Sequence, residues 1–192
     1  MITTSEQRNK VNVKLWFETA GNKYSKEALK FHVNKLLHSE VEELNDAADQ
    51  RSIFDAIGDV WFVRTEIDLI LEHVGNNALL DPSIKRGALH AADAIIYDMQ
   101  MHDQKLLQRI CAEVIKSNFS KFCKTEEEAA DTLNWYRDTK RVYARYEKVG
   151  DLFVIRSLLD QKDSNGNDYP KDKILKSINF KGPDFSALLE AA

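Results

Sequence analysis

Helical spacing dominates the pattern of apolar and polar positions along the chain. Leu29, Val33, Leu36, Leu37, Val41 and Leu44 recur at intervals that keep them on one face of an α-helix, and they predict a helix over residues 26–48 with Ser25 as its N-cap. A second run, Ile57, Val60, Trp61, Val63, Ile67, Ile70 and Leu71, predicts a helix that stops at Gly75. Ser52 stands in the N-cap position of that helix, with Asp55 three residues on in a capping-box-like place. Ahead of both, Val11, Val13, Leu15, Trp16 and Phe17 predict a helix over residues 6–19, ended by Gly21. Beyond a loop at 76–85, helices are expected over residues 86–101, 104–118 and 125–136. The last opens on Thr125 and three glutamates, a favourable helix start. Prolines stand only at 82, 170 and 183, so nothing interrupts the first helices.

The pattern changes near residue 140. Residues 143–149 and 152–156, separated by Gly150 and Asp151, read as a β-hairpin. Residues 160–169 are a polar turn. The run from Asp163 to Asp168 has calcium-loop composition, but its glycine comes too early and no closing glutamate follows, so it too reads as a turn. The tail is irregular and basic up to a last short helix. The expected fold class is therefore mainly α: a helical bundle with a small C-terminal β-hairpin and an irregular tail. Residues 1–140 are expected to form a helical catalytic domain, with 141–192 packed on the same domain.

Composition narrows the function classes. The 192 residues are 43% hydrophobic and 30% charged, the balance of a soluble globular chain. A net charge of -4 provides no global field for a nucleic acid polymer, so an anionic ligand must be met by a local basic patch or a metal ion. The two cysteines, Cys111 and Cys123, form no CxxC and suggest reduced thiols in a cytoplasmic protein. The start of the chain is polar and unlike a leader, and no apolar run reaches the roughly 18 residues of a membrane span.

The candidate chemistry lies in carboxylates. Glu40 and Glu43 are three apart on one predicted helix, and Asp55 and Asp59 four apart on the next, so each pair shares a face. A short connection makes the helices antiparallel. At ~1.5 Å per residue, Glu43 and Asp59 then stand at similar height, with Glu40 about one turn above and Asp55 about one turn below. Carboxylates converging on one groove repel unless a cation neutralises them, and an oxygen-only set suits Mg²⁺ or Mn²⁺. Acidic residues at helical spacing are ordinarily a solvated face. Two features weigh against that here: the apolar surroundings of Asp55 and Asp59 from Ile53 to Val63, and Gly58 inside the helix. A mid-helix glycine costs about 1 kcal/mol relative to alanine, which close packing or ligand approach would offset.

The segments Ser39-Glu40-Val41-Glu42-Glu43-Leu44 and Asp55-Ala56-Ile57-Gly58-Asp59-Val60-Trp61-Phe62-Val63 resemble the paired motif of the all-α nucleoside triphosphate pyrophosphohydrolases. That superfamily includes MazG-like enzymes, phosphoribosyl-ATP pyrophosphohydrolases and dimeric dUTPases. Its pattern is Glu-x-x-Glu on one helix and Glu-x-x-Asp on the next. Glu40, Glu43 and Asp59 match; the third ligand position holds Ala56, and Asp55 is the substitute by helical geometry. Residues 114–122, with Asn118 and Lys121, and residues 169–184, with Lys173 and Lys176, resemble later segments of the phosphoribosyl-ATP pyrophosphohydrolase-like branch, often found in phage genomes.

The resemblance implies Mg²⁺-dependent (or Mn²⁺-dependent) hydrolysis of a nucleoside or deoxynucleoside triphosphate to the monophosphate and pyrophosphate. Glu40, Glu43, Asp55 and Asp59 would hold the metal, and Glu43, then Glu40, would be the carboxylates that take the water's proton. Asn118, Lys121, Lys173 and Lys176 would meet the triphosphate, and Trp16 or Trp61 (or Phe17 or Phe31) could stack on the base. A homodimer or homotetramer is expected, because the second and third helices carry long apolar faces and relatives are dimeric. Two alternatives stand beside this reading. One is a dUTPase-like or deoxypurine-specific hydrolase of the same superfamily. The other is a nucleotide-binding helical protein that lost catalysis with the third ligand, which Ala56→Glu would restore.

Overall fold

The structure, a computed structural model, describes residues 4–190, so the first three residues of the polar start lie outside the described residues. It is mainly helical with a small C-terminal hairpin, as the sequence pattern predicts. In chain order the elements are α1 (Thr4–Thr19), α2 (Lys26–Phe31), a π-helical turn (His32–Leu37), α3 (His38–Asp46), α4 (Gln50–Val74), a 3-10 turn (Asn76–Leu80) and α5 (Gly87–Phe119). Then follow α6 (Glu126–Trp135), a second π-helical turn (Tyr136–Lys140), β1 (Ala144–Val149), β2 (Leu152–Ser157), β3 (Gln161–Lys162), β4 (Asp168–Tyr169) and α7 (Ser186–Leu189). No helix among the described residues is long and apolar enough to cross a membrane.

The chain divides into two compact units, one being Ser117–Gly182 and the other the residues before and after it. The division falls at 116/117 rather than at the expected 140/141. The reason lies in the core of the second unit. There Ala129 and Tyr136, from the α6 region, are buried with Cys123, Val142, Phe153, Ile155 and Leu175. Helix α6 therefore belongs with the hairpin. Strand β2 pairs antiparallel with β1 across a two-residue turn, Val149 opposite Leu152, and Gly150 there takes a positive φ of 60°. Its other edge bonds Cys123 at Phe153 and Leu175 at Ile155, so residues 153–157 are buried on both faces. Asp163 accepts from the backbone N–H groups of Asn165 and Asn167, which confirms a turn in that segment.

In the first unit, α4 is the central helix. Its N-cap is Asp49, not Ser52: Asp49 accepts from the Ser52 N–H at 2.7 Å, and the Ser52 hydroxyl meets the Asp49 N–H at 3.1 Å. This shortens the link from α3 to residues 47–49 and leaves Asp55 outside the cap. Gly58 faces α5. A Cβ there would overlap Val114 Cγ2 and lie 3.1 Å from Ile110 Cγ2, so the glycine serves close helix packing. Helix α1 buries Val13, Trp16 and Phe17 but leaves Val11 and Leu15 exposed. The π-helical turn brings Leu29, Val33 and Leu37 into phase at four-residue spacing, and all three are fully buried while Leu36 is only half-buried. The predicted break between residues 101 and 104 appears as a kink in α5 at Asp103 (φ -152°, ψ 77°), whose carboxylate caps the N–H of Leu106 at 2.9 Å. Most apolar residues of α4 are covered within the single chain, while Ile53 near its start and Phe31 at the end of α2 are exposed.

Gly58→Ala is expected to destabilise the protein by about 1–3 kcal/mol despite the better helix propensity of alanine, as overpacking does. Urea denaturation measures this, and Val114→Ala in the same chain should recover part of the loss.

Candidate functional site

From Phe54 to Val63 every residue of α4 is buried except Asp55 and Asp59, which are half-buried. Four residues apart, they form one polar stripe along an otherwise enclosed helix. Ala56, three before Asp59, is 5% exposed and lies in the core. Asp55 therefore shares the stripe with Asp59, and the position that carries the third acidic ligand in the resembling family does not. A glutamate at 56 would be buried in apolar surroundings, so Ala56→Glu is no route to a restored site.

Helix α3 packs on α4 and contributes Glu40, half-buried, and Glu43, exposed. The shorter link changes their expected heights. Counted from residue 48 at ~1.5 Å per residue, Glu40 and Asp55 are level to within about 2 Å. Glu43 lies about one turn nearer the link and Asp59 about one turn further away. Among the described residues, no group of three or more His, Cys, Asp or Glu side chains is arranged to hold a metal ion. The donor chemistry nonetheless fits Mg²⁺ or Mn²⁺, being carboxylate oxygen only. Mg²⁺ keeps several of its waters and needs one or two carboxylates rather than a closed cage.

The same stripe continues to Glu66, which the sequence reading did not single out. Glu66 stands seven residues beyond Asp59, two turns along the face, and is 3% exposed. The Asn22 amide donates to its Oε1 at 3.3 Å. His32, 4% exposed at the start of the π-helical turn, brings its Nε2 to 3.7 Å from Glu66 Oε2. The His32 Nδ1–H donates to the Ala28 carbonyl at 2.8 Å, which leaves Nε2 facing the carboxylate. Burial holds the His32 pKa below its ordinary value, against the opposing effect of the Ala28 carbonyl. The seven-residue spacing from Asp59 was the available signal for Glu66; nothing in the sequence pointed to His32 as its neighbour.

The other predicted residues have different surroundings. Trp16 and Trp61, expected as base-stacking candidates, are core residues at 8% and 3% exposure, and Trp16 packs edge-on against Phe62 at 5.2 Å. A base could reach either ring only by displacing core. Phe17 is fully buried as well, whereas Phe31 is exposed. His38 sits on the surface, 3.4 Å from Glu42.

The remaining candidates lie in the second unit, where the structure joins two segments far apart in sequence. The Lys121 ammonium donates to the Asn118 side-chain oxygen, and Asn118 is buried. The Lys121 carbonyl accepts from the Ser177 N–H at 3.0 Å, and Ser120 bonds Lys181. Ser177 in turn donates to Glu128. Burial opposes ionisation of Glu128, but bonds from Ser177 and the Lys124 N–H outweigh it and hold the carboxyl below its ordinary range. Lys176 lies over the Phe180 ring at 4.1 Å, and Lys173 over the Tyr169 ring at 5.1 Å. Both lysines are exposed. Cys111 and Cys123 are free and buried, and burial raises both thiols.

No family model matches the chain, and no solved structure matches it. It is similar to an uncharacterized protein of Acanthamoeba polyphaga mimivirus, 26% identical over 167 residues that make up 87% of this chain. The chain spans 59% of the length of that relative.

Because His32 is held below its ordinary pKa of 6.5, the unfolded chain takes up its proton first as the pH falls. Stability is expected to decline on acidification from neutrality through that range, by at most about 1.4 kcal/mol per pH unit. Urea midpoints between pH 5 and 8 check this, and His32→Leu should flatten the profile.

Proposed function

We propose that the α3–α4 seam binds Mg²⁺ and hydrolyses a nucleoside or deoxynucleoside triphosphate to its monophosphate and pyrophosphate. The observation that carries the reading is the stripe of Asp55 and Asp59, two partly accessible carboxylates in an otherwise buried stretch of α4. Buried apolar neighbours on both sides make an incidental solvated face a poor explanation. The packing of α3, which carries Glu40 and Glu43, against this helix adds two more oxygen donors. The resemblance of these two segments to the paired motif of the all-α pyrophosphohydrolases supplies the reaction type.

In this reading one or two of Glu40, Asp55 and Asp59 would hold the metal directly and the rest through its bound waters, with Glu43 at the exposed end. When bound, Mg²⁺ offsets phosphate charge and lowers the pKa of water. The chain's carboxylates do the rest. They orient a water for attack on the α-phosphorus; the new P–O bond forms as the bond to the β-phosphate's bridging oxygen breaks, and pyrophosphate departs with that electron pair. Glu43, the most exposed of the four, receives the water's proton and returns it to solvent.

Incubation of the full chain with Mg²⁺ and a nucleotide panel, read by monophosphate and pyrophosphate release, tests the proposal. Asp59→Asn and Glu40→Gln should each lower turnover by roughly 100-fold or more, the scale of a lost transition-state charge partner. Asp55→Asn should do likewise, and an undiminished rate would remove it from the ligand set. Release from no triphosphate would sink hydrolysis, and binding without release would favour the nucleotide-binding alternative. A profile confined to one base would favour the dUTPase-like or deoxypurine-specific form.

A further inference from the structure

A groove of about 610 Å³ opens between α1 and the second half of α5, within the first unit. Its wall carries Arg8, Lys105 and Arg109, and no acidic side chain is among the residues lining it. None of Glu40, Glu43, Asp55 or Asp59 lines it either. Three exposed cations on one small concavity repel one another, and an anion between them relieves that repulsion. Lys105 and Gln104 stand in the first turn of the helical stretch that begins after the Asp103 kink, where the backbone N–H groups point outward along the axis. Arg109 itself donates to the Ala187 carbonyl at 3.5 Å, and the acidic residues next to the lining positions at Ser5 and Gln104 are engaged elsewhere. Glu6 pairs with Lys10 at 3.1 Å and accepts from Gln104 at 3.4 Å, and Asp103 caps Leu106.

A second observation is independent of the charges. Gln108, 94% buried and part of the same wall, has a side-chain nitrogen with no hydrogen-bond partner among the described residues. The assignment of that atom follows from its neighbours. Asn9 contacts both the Gln108 backbone carbonyl and the Gln108 side chain at 3.0 Å. A carbonyl can only accept, so the Asn9 atom is its amide nitrogen, and the Gln108 atom facing it must be Oε1. The leftover atom is therefore the donor Nε2. Buried donors are normally paired, and one left over at the wall of a cationic groove suggests a missing acceptor.

We infer that this groove is a binding site for a small phosphorylated ligand, with its phosphate held by Arg8, Lys105 and Arg109. The volume is that of a small-molecule pocket, which favours a soluble phosphate ester or polyphosphate over a polymer backbone. Arginine forks suit phosphate oxygens, and the inference stands whether or not the α3–α4 seam is catalytic.

Isothermal titration of the full chain with pyrophosphate in EDTA tests it, because without a divalent metal the carboxylate seam repels the ligand. Saturable binding is expected. Arg8→Ala and Arg109→Ala should each weaken it by roughly tenfold, the scale of a charge-assisted hydrogen bond, and Lys105→Glu by more. Asp59→Asn should bind as the parent does. Parallel titrations with inorganic phosphate and adenosine monophosphate separate the sources: equal affinity points to phosphate alone, and tighter monophosphate binding to a nucleotide. No saturable binding at millimolar pyrophosphate overturns the inference. So does unchanged affinity in the arginine variants, with circular dichroism confirming that they fold.

Discussion

The contact on which the first unit depends is the close approach of α4 to α5 at Gly58. The missing Cβ lets Val114 and Ile110 of α5 lie against the α4 backbone. With that side of α4 occupied and α1 and α3 packed on others, α4 is enclosed over most of its length. Within its enclosed stretch from Phe54 to Val63 the half-buried positions are Asp55 and Asp59, continued inward to Glu66. A carboxylate within an enclosed helix is costly unless its charge is compensated, and at the inner end of the stripe the Asn22 amide donates to Glu66.

The link between α3 and α4 sets how the two acidic pairs meet. The reciprocal bonds of Asp49 and Ser52 begin α4 immediately after a three-residue connection. Glu40 is thereby brought level with Asp55, while the π-helical turn at His32–Leu37 adjusts the phase of the preceding helix so that Leu29, Val33 and Leu37 remain inside. That turn begins at His32, whose imidazole faces Glu66 at the inner end of the stripe. The polar seam therefore has an exposed end at Glu43 and a buried end at the His32–Glu66 pair.

The second unit is held by different means. Its strand β2 is bonded on both edges, and its tail is tied to residues 120–121 and to Glu128 by backbone and hydroxyl hydrogen bonds. Lys121 and Lys176 therefore belong to one bonded framework, although they stand 55 positions apart in the chain. Long-range stitching of this kind fixes the course of a tail that has almost no regular secondary structure.

Much of this was legible in the sequence. Helical periodicity located every long helix, the break near residue 103 and the Gly150–Asp151 hairpin, because local spacing and turn chemistry are properties of a few neighbouring residues. The carboxylate stripe was also legible, since i,i+4 spacing fixes Asp55 and Asp59 on one face whatever surrounds them. Tertiary structure decided the rest. It made Asp49 the cap, placed Ala56, Trp16 and Trp61 in the core, and left Val11 and Leu15 outside. It joined α6 to the hairpin, set Glu66 beside His32, and opened the cationic groove between α1 and α5. Each of these depends on which face of a helix meets which neighbour, and periodicity identifies a face without identifying what covers it.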